Sequence, residues 1–302
     1  MSDTVINKAL RRRGIVVKFY SNLLVVEDIE TGEQFLCKLR GKFKKQGIRP
    51  ITGDIVEYTK IVGNEGVVEN ILNRKSELKK PSVANIDQVI IVTTIDKPAV
   101  PLDILDRFIV LVEYEGLPIV IVLNKVDLLK EEQIKEFESI YKKLYPVVKT
   151  SAMTGYGIEE LKQQLSGKIS VFAGMSGVGK SSLLNSIENN LKLRTGEISE
   201  KLGRGKHTTT AAELLRLSFG GWVVDTPGFA SLDIDHISEN ILRELFIEFE
   251  NDKCYFPDCY HIDEPGCNVK EMVKKGKIPY SRYESYQRML EELQELRKEA
   301  LE

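Results

Sequence analysis

Ile169-Ser170-Val171-Phe172-Ala173-Gly174-Met175-Ser176-Gly177-Val178-Gly179-Lys180-Ser181-Ser182 decides how this chain is read. The first five residues are a mainly apolar run that suits a buried strand, and Gly174 to Ser181 fit the pattern G-x-x-x-x-G-K-[ST]. From Lys180 to Asn190, Leu183, Leu184 and Ile187 recur at helical spacing. Strand, glycine-rich turn and helix in that order form a phosphate loop, because backbone N–H groups at a helix N-terminus converge on phosphate oxygens. Lys180 is expected on the β- and γ-phosphates and Ser181 on Mg²⁺, with Ser182 completing the phosphate-binding set.

Upstream of this loop the pattern is α/β. Ile86 to Ile95 and Pro118 to Leu123 are continuous apolar runs of the parallel-strand kind, and Leu102, Leu105, Phe108, Ile109 and Val112 mark one face of a crossover helix. Asn124-Lys125-Val126-Asp127 follows the second run directly, at the strand end where ligands bind in open α/β sheets. Asp127 can accept hydrogen bonds from guanine N1–H and the exocyclic amine, Asn124 can bridge base and phosphate loop, and the Lys125 stem can lie over the ring. After Pro146 to Lys149, the turn Thr150-Ser151-Ala152 can present a backbone N–H to guanine O6. Adenine lacks that acceptor and the N1 proton, so a site built this way discriminates strongly. Both base signatures precede the phosphate loop, and that order points to a permuted GTPase.

Downstream, Gly221-Trp222-Val223-Val224 reads as a strand ending in Asp225-Thr226-Pro227-Gly228, where Asp225 can act on Mg²⁺ through water and the Gly228 N–H can meet a γ-phosphate. Between helix and strand lies Gly203-Arg204-Gly205-Lys206-His207-Thr208-Thr209-Thr210, whose hydroxyls suit Mg²⁺, with Thr209 favoured. Phe229 occupies the place where many GTPases carry a water-orienting glutamine, so intrinsic turnover should be slow. His236 is the candidate to orient water in its stead, against the plainer reading of a surface histidine beside Asp235.

The N-terminal segment is of another kind. Gly14 to Phe19, Leu23 to Val26, Gln34 to Leu39, Asp54 to Lys60 and Gly66 to Ile71 are five short strand-like pieces, which suit a closed oligonucleotide-binding barrel (OB-fold). Between the third and fourth pieces, Lys38 to Arg49 carries six cations and no acid. RNA backbone is the expected partner. The charge of the whole 302-residue chain is only −2, yet residues 1 to 80 hold 16 Lys and Arg against 10 Asp and Glu. No apolar run approaches the roughly 20 residues of a membrane span and no secretory signal opens the chain, so the reading is cytoplasmic with no membrane partner.

Towards the C-terminus, Cys254-x₄-Cys259-x-His261-x₅-Cys267 gathers three thiols and an imidazole, the donor set of a closed structural zinc site. The fourth cysteine, Cys37, reads as a small buried hydrophobe. A helix is expected over Glu239 to Phe249. Tyr280 to Glu302 should form another, with Tyr283, Tyr286, Met289, Leu290, Leu293 and Leu296 on one side and Glu, Gln and Arg elsewhere, packed on its own zinc domain.

The joint order of base motif, phosphate loop, Gly-Arg-Gly-Lys-His-Thr-Thr-Thr and Asp-Thr-Pro-Gly, flanked by a barrel and a cysteine cluster, resembles the RsgA family of circularly permuted GTPases over essentially the whole chain. The resemblance implies a slow GTPase that binds GTP/GDP with Mg²⁺, acts late in maturation of the small ribosomal subunit through 16S rRNA, is stimulated by that subunit and works as a monomer. The expected architecture is multidomain: a barrel over 1–72, a permuted α/β GTPase domain over 73–236 and a mainly helical zinc domain over 237–302. The alternative is a nucleotide-gated RNA-binding module with negligible hydrolysis, which Phe229 favours.

Overall fold

The computed structural model describes residues 11–20, 23–45, 47–79, 81–188, 212–225 and 232–299. In chain order, strands β1 (Arg12–Tyr20), β2 (Leu23–Asp28) and β3 (Gln34–Leu39) are followed by helix α1 (Gly41–Lys45) and strands β4 (Ile55–Lys60) and β5 (Glu65–Ile71). The brief strands β6 (Glu77–Leu78) and β7 (Val83–Ala84) lead to β8 (Gln88–Thr93), α2 (Leu102–Tyr114), β9 (Ile119–Leu123), α3 (Glu131–Tyr141), β10 (Val147–Lys149) and α4 (Ile158–Leu165). Then come β11 (Ile169–Ala173), α5 (Lys180–Ile187), β12 (Glu213–Arg216) and β13 (Trp222–Asp225), and last the helices α6 (Glu239–Glu244), α7 (Asn268–Lys274) and α8 (Tyr280–Glu299). They form two compact units, one from stretches 1–87, 165–171 and 194–227, the other from 88–164, 172–193 and 228–302.

In the first unit, β1 to β5 close into a barrel of order β1-β2-β3-β5-β4. Closure follows from alternation: along β3, Phe35 and Cys37 point inward while Gln34, Leu36 and Lys38 face out. Val16, Leu24, Val26, Val56, Tyr58 and Val68 fill the rest of the interior. All neighbours pair antiparallel except β3 and β5, and closing the ring leaves no open edge. Cys37 is fully buried in this core, and burial pushes its thiol up to about 12. The basic stretch between β3 and β4 is more than a loop. Its middle coils into α1, because Phe43 is drawn into the barrel core while the Lys42 ammonium sits 4.9 Å from the Phe43 ring centroid. The same unit holds the hairpin β12–β13 and, parallel to β13, residues 169–171 of strand β11.

In the second unit β9 pairs in parallel with both β8 and β10. Strands β8 and β9 are buried at every position, as parallel strands covered on both faces must be. Helix α2 buries Leu105, Phe108, Ile109 and Val112 as the spacing predicts, and also Asp106. The C-terminal helices gather around Ile234, Leu242, Phe246, Phe249, Tyr286, Met289 and Leu290. Helix α6 stops at Glu244, short of the expected Phe249. Its start is fixed by Ser238, whose Oγ accepts from Ile241 N–H, and its end is set as the chain turns to bury Phe246 against Phe249 with ring centroids 5.2 Å apart. Helix α8 buries Tyr283, Tyr286, Met289, Leu290 and Leu293, while Leu296 stays 40% exposed. Arg282 departs from the expected polar side: it is wholly buried, bonded to Asp106 of α2 at 2.8 Å and to Glu248 at 2.7 Å. Among the described residues no helix is long and apolar enough to cross a membrane.

Candidate functional site

The turn between β11 and α5 takes its shape from backbone that only glycine adopts easily. Gly174 has φ +133°, and a Cβ there would lie 2.1 Å from Val92 O; Gly179 has φ +96°, and a Cβ there would lie 2.4 Å from Asn124 Nδ2. Val178 is buried and anchors the turn, whereas Met175, Ser176, Gly177, Ser181 and Ser182 are exposed. The Lys180 ammonium reaches back across the turn and donates to Gly174 O at 2.7 Å and Met175 O at 2.8 Å. Burial pulls its pKa below the ordinary lysine value.

The base signature is fastened onto this turn. Asn124, 1% exposed, donates from Nδ2 to Val178 O at 2.8 Å and accepts from Thr150 Oγ1 at 3.1 Å. Lys125, in the left-handed region at φ +60°, stretches its ammonium to Gly177 O at 2.8 Å and Lys97 O at 2.6 Å. Val126 and Asp127 begin a single 3₁₀ turn, and both line a cavity of about 420 Å³ with Lys149, Thr154 and Tyr156. Ser151 N–H donates to Tyr156 O at 3.0 Å, and Ser151 Oγ accepts from Thr154 N–H. Ser186 of α5 donates to Ala152 O at 3.2 Å, a further tie between base turn and phosphate helix. Sequence reading missed Lys97, Tyr156 and Ser186, since each acts through a carbonyl or hydroxyl that no spacing marks.

Asp225 ends β13, whose parallel partner β11 runs into Gly174. Thr209, Gly228 and Phe229, with the whole Gly203 to Thr210 stretch, lie outside the described residues. His236 is exposed, with Nδ1 3.4 Å from Asp235 Oδ1 and its ring edge-on to Tyr114 at a centroid distance of 5.0 Å. Tyr114 is the last residue of α2, whereas Pro98, just before that helix, is the end that meets Gly177. A helix of this length spans roughly 20 Å. His236 thus packs at the end of α2 opposite to the one that meets Gly177.

The cysteine cluster is assembled. One ligand atom from each of Cys254, Cys259, His261 and Cys267 lies within 4.8 Å of the others. His261 Nδ1 is 3.6 Å from Cys254 Sγ and 3.4 Å from Cys267 Sγ. A tetrahedral Zn²⁺ with the usual Zn–S and Zn–N lengths requires S···N of about 3.5 Å, so the donors fit that ion. The other ring nitrogen, Nε2, donates to Asn251 Oδ1 at 2.7 Å, which turns the Nδ1 lone pair towards the thiols. Burial brings His261 down to about 4, so the imidazole is in its neutral, ligating form, and pushes the Cys259 thiol up to about 12, so a thiolate there needs a cation beside it. Tyr283 and Tyr286 of α8 donate to the carbonyls of His261 and Tyr260 at 2.5 and 2.8 Å, holding the loop on the helix. Cys267 caps α7 by accepting from Lys270 N–H. Asn251 escaped sequence reading because a lone amide before a cysteine motif carries no periodic signal.

On the barrel, Lys42, Phe43, Ile48 and Arg49 line an open cavity of about 810 Å³ with Asn70 and Arg74. Lys38, Lys42 and Arg49 face outward, and Arg40 pairs with Glu69 at 2.7 Å.

Comparison with known proteins places these features in context. Residues 69–235 match the family model described as RsgA GTPase, and residues 13–68 match the RsgA N-terminal domain. The chain is 58% identical over 287 residues to the small ribosomal subunit biogenesis GTPase RsgA of Thermotoga neapolitana, covering 94% of this chain and 97% of that one. The Caldanaerobacter subterraneus protein of the same name is 50% identical over 266 residues, covering 87% and 90%. Among solved structures, YjeQ from Thermotoga maritima superposes with a TM-score of 0.85 at 54% identity, covering 94% of this chain and 99% of that one. YloQ, described as a circularly permuted GTPase, gives 0.82 at 31% identity, covering 97% and 98%.

Proposed function

Because this chain belongs to the RsgA GTPase family, we propose that it binds the small ribosomal subunit through 16S rRNA and assists late maturation, hydrolysing GTP slowly until the subunit accelerates it. The chain is a circularly permuted GTPase with an N-terminal barrel and a C-terminal Cys₃His cluster. The observation that carries the reading is the fastening of Asn124, Lys125 and Ser186 onto the turn and helix that would grip the phosphates. These ties support one nucleotide being shared by the segment read as guanine-recognising and the one read as phosphate-binding.

Each site residue takes a role in this reading. Asp127 accepts from guanine N1–H and the exocyclic amine. Ala152 N–H meets O6, because Ser151 N–H is occupied by Tyr156 O. Gly174 to Ser182 enclose the phosphates, with Lys180 leaving its two carbonyls for the β- and γ-oxygens. Ser181 and Thr209 would hold Mg²⁺ with Asp225 as its water-mediated partner, and Gly228 N–H would meet the γ-phosphate; a bound ion would supply charge neutralisation for phosphoryl transfer. Phe229 brings no amide to orient water, which accounts for slow unaided turnover. His236, held on Tyr114, takes no part in that unaided reaction. Cys254, Cys259, His261 and Cys267 would hold one structural zinc. We retain 1–72, 73–236 and 237–302 as the functional domains, and a monomer in the cytoplasm as the working form.

GTP turnover measured alone, with purified small subunits, with large subunits and with transfer RNA tests the proposal. Acceleration by small subunits only is expected. Equal rates in all four conditions would remove the ribosomal role, and acceleration by transfer RNA would redirect it. His236→Ala should leave unaided turnover within about twofold of the parent.

A further inference from the structure

The hairpin β12–β13 belongs to the same compact unit as the barrel. Its two open ends lead into the stretches assigned to γ-phosphate and Mg²⁺: Ala212 follows Thr210 by two residues, and Asp225 begins Asp225-Thr226-Pro227-Gly228. Glu213 pairs with Asp225 and Arg216 with Trp222, so the two ends move as one antiparallel pair. Three side chains of this unit hold the hairpin, Thr52 and Lys18 at its open end and Glu27 at its closed end. Thr52 Oγ1 donates to Ala212 O at 2.7 Å with both residues buried, and Lys18 of β1 forms an ion pair with Glu213. Glu27 of β2, 3% exposed, accepts from Arg216 at 2.9 Å and from Trp222 Nε1 at 3.4 Å.

A carboxylate this buried is costly unless its charge is met, and Arg216 meets it from the hairpin. The barrel is shaped for that guanidinium: Gly32, at φ +71° in the β2–β3 turn, stands where a Cβ would lie 2.5 Å from Arg216 Nη1. Thr52 is fixed in turn, its carbonyl accepting from Ala84 N–H at 2.8 Å. The closed barrel has no free edge along which to yield, so a displacement imposed at its basic face reaches β1 and β2.

We propose that Glu27, Thr52 and Lys18 are positioning residues through which RNA held by the barrel sets the place of both nucleotide-sensing ends of the hairpin. This rests on the reading that the barrel binds rRNA and that the subunit stimulates hydrolysis. Trp222 is the chain's single tryptophan, and its indole N–H touches Glu27, so its emission reports the junction directly.

In the full-length protein, Trp222 emission should change when GDP is replaced by a non-hydrolysable GTP analogue, and again on adding purified 16S rRNA. In Glu27→Gln and in Thr52→Val the RNA-induced change should fall, and stimulation of kcat by small subunits should drop by roughly fivefold or more, with unaided kcat and KM unchanged. Thr52→Val removes only a hydroxyl and serves alone if the Glu27 variant does not fold. Parent and Thr52→Val stimulated equally, with identical emission responses, would overturn this inference alone. A parent that small subunits do not stimulate would overturn it together with the functional reading beneath it.

Discussion

The phosphate turn and the cysteine loop both deliver ligands at the start of a helix, yet they are held in opposite ways. The turn before α5 is held by main chain: glycines in left-handed backbone, and carbonyls of Gly174, Met175, Gly177 and Val178 taken up by Lys180, Lys125 and Asn124. The loop before α7 is held by side chains. Its thiols and imidazole face one another inside a small space, where like donors have no reason to gather unless a cation sits among them. The first arrangement is preorganised, so little of the binding free energy is consumed in ordering it. The second is templated by its ion, and its folding and its metal affinity are one quantity.

Stripping the metal should therefore have the largest effect. Zinc-finger peptides gain about 10–16 kcal/mol from their ion, so chelation should collapse the near-UV signal of Phe249, Tyr283 and Tyr286 around the cluster while calorimetric GTP affinity persists. A near-UV spectrum unchanged after verified zinc loss would break the contrast. Gly179→Ala comes next. Forcing a side chain at φ +96° costs about 1–3 kcal/mol and also displaces Asn124, so GTP affinity should fall about a hundredfold or more with the zinc content intact. Asp127→Asn should lose about 1.5–3 kcal/mol of GTP binding and gain xanthosine triphosphate, since the base edge then offers an acceptor where guanine offers a donor. The smallest change is Asn251→Ala, which frees the His261 ring and should weaken zinc by about 10–100-fold in a competitive chelator titration, without touching the nucleotide.

What could be seen in the sequence was whatever repeats or is locally dictated. The five barrel strands were visible as short strand-like pieces, β8 and β9 through continuous apolarity, and the Cys₃His cluster through donor type and spacing. The basic stretch misled by its charge: six cations suggest an open loop, but Phe43 among them is enough to seed α1. Arg282 misled through its neighbours, because a helical pattern sorts arginine to the wet side and cannot see Asp106, 176 positions away, waiting for it. The partners of the nucleotide motif, Lys97 O, Gly177 O and Val178 O, are main-chain atoms. Every residue has such atoms, so composition carries no trace of which ones will be used. His236 was read as a stand-in for the glutamine absent at Phe229, and sequence alone does not show the path that lays it on Tyr114.

The buried Arg282 has one more consequence. Helix α8 lies against α2 with this guanidinium keyed between Asp106 and Glu248, none of the three open to water beyond 7%. Sliding α8 by a single turn, about 5.4 Å, would strip the cation of its counterions deep in an apolar setting, a penalty of about 3–5 kcal/mol. The C-terminal helix thus has one seating and no half-way stop: it is indexed like a shaft on a pin, and whatever pulls on it must move α2 as well or free it completely.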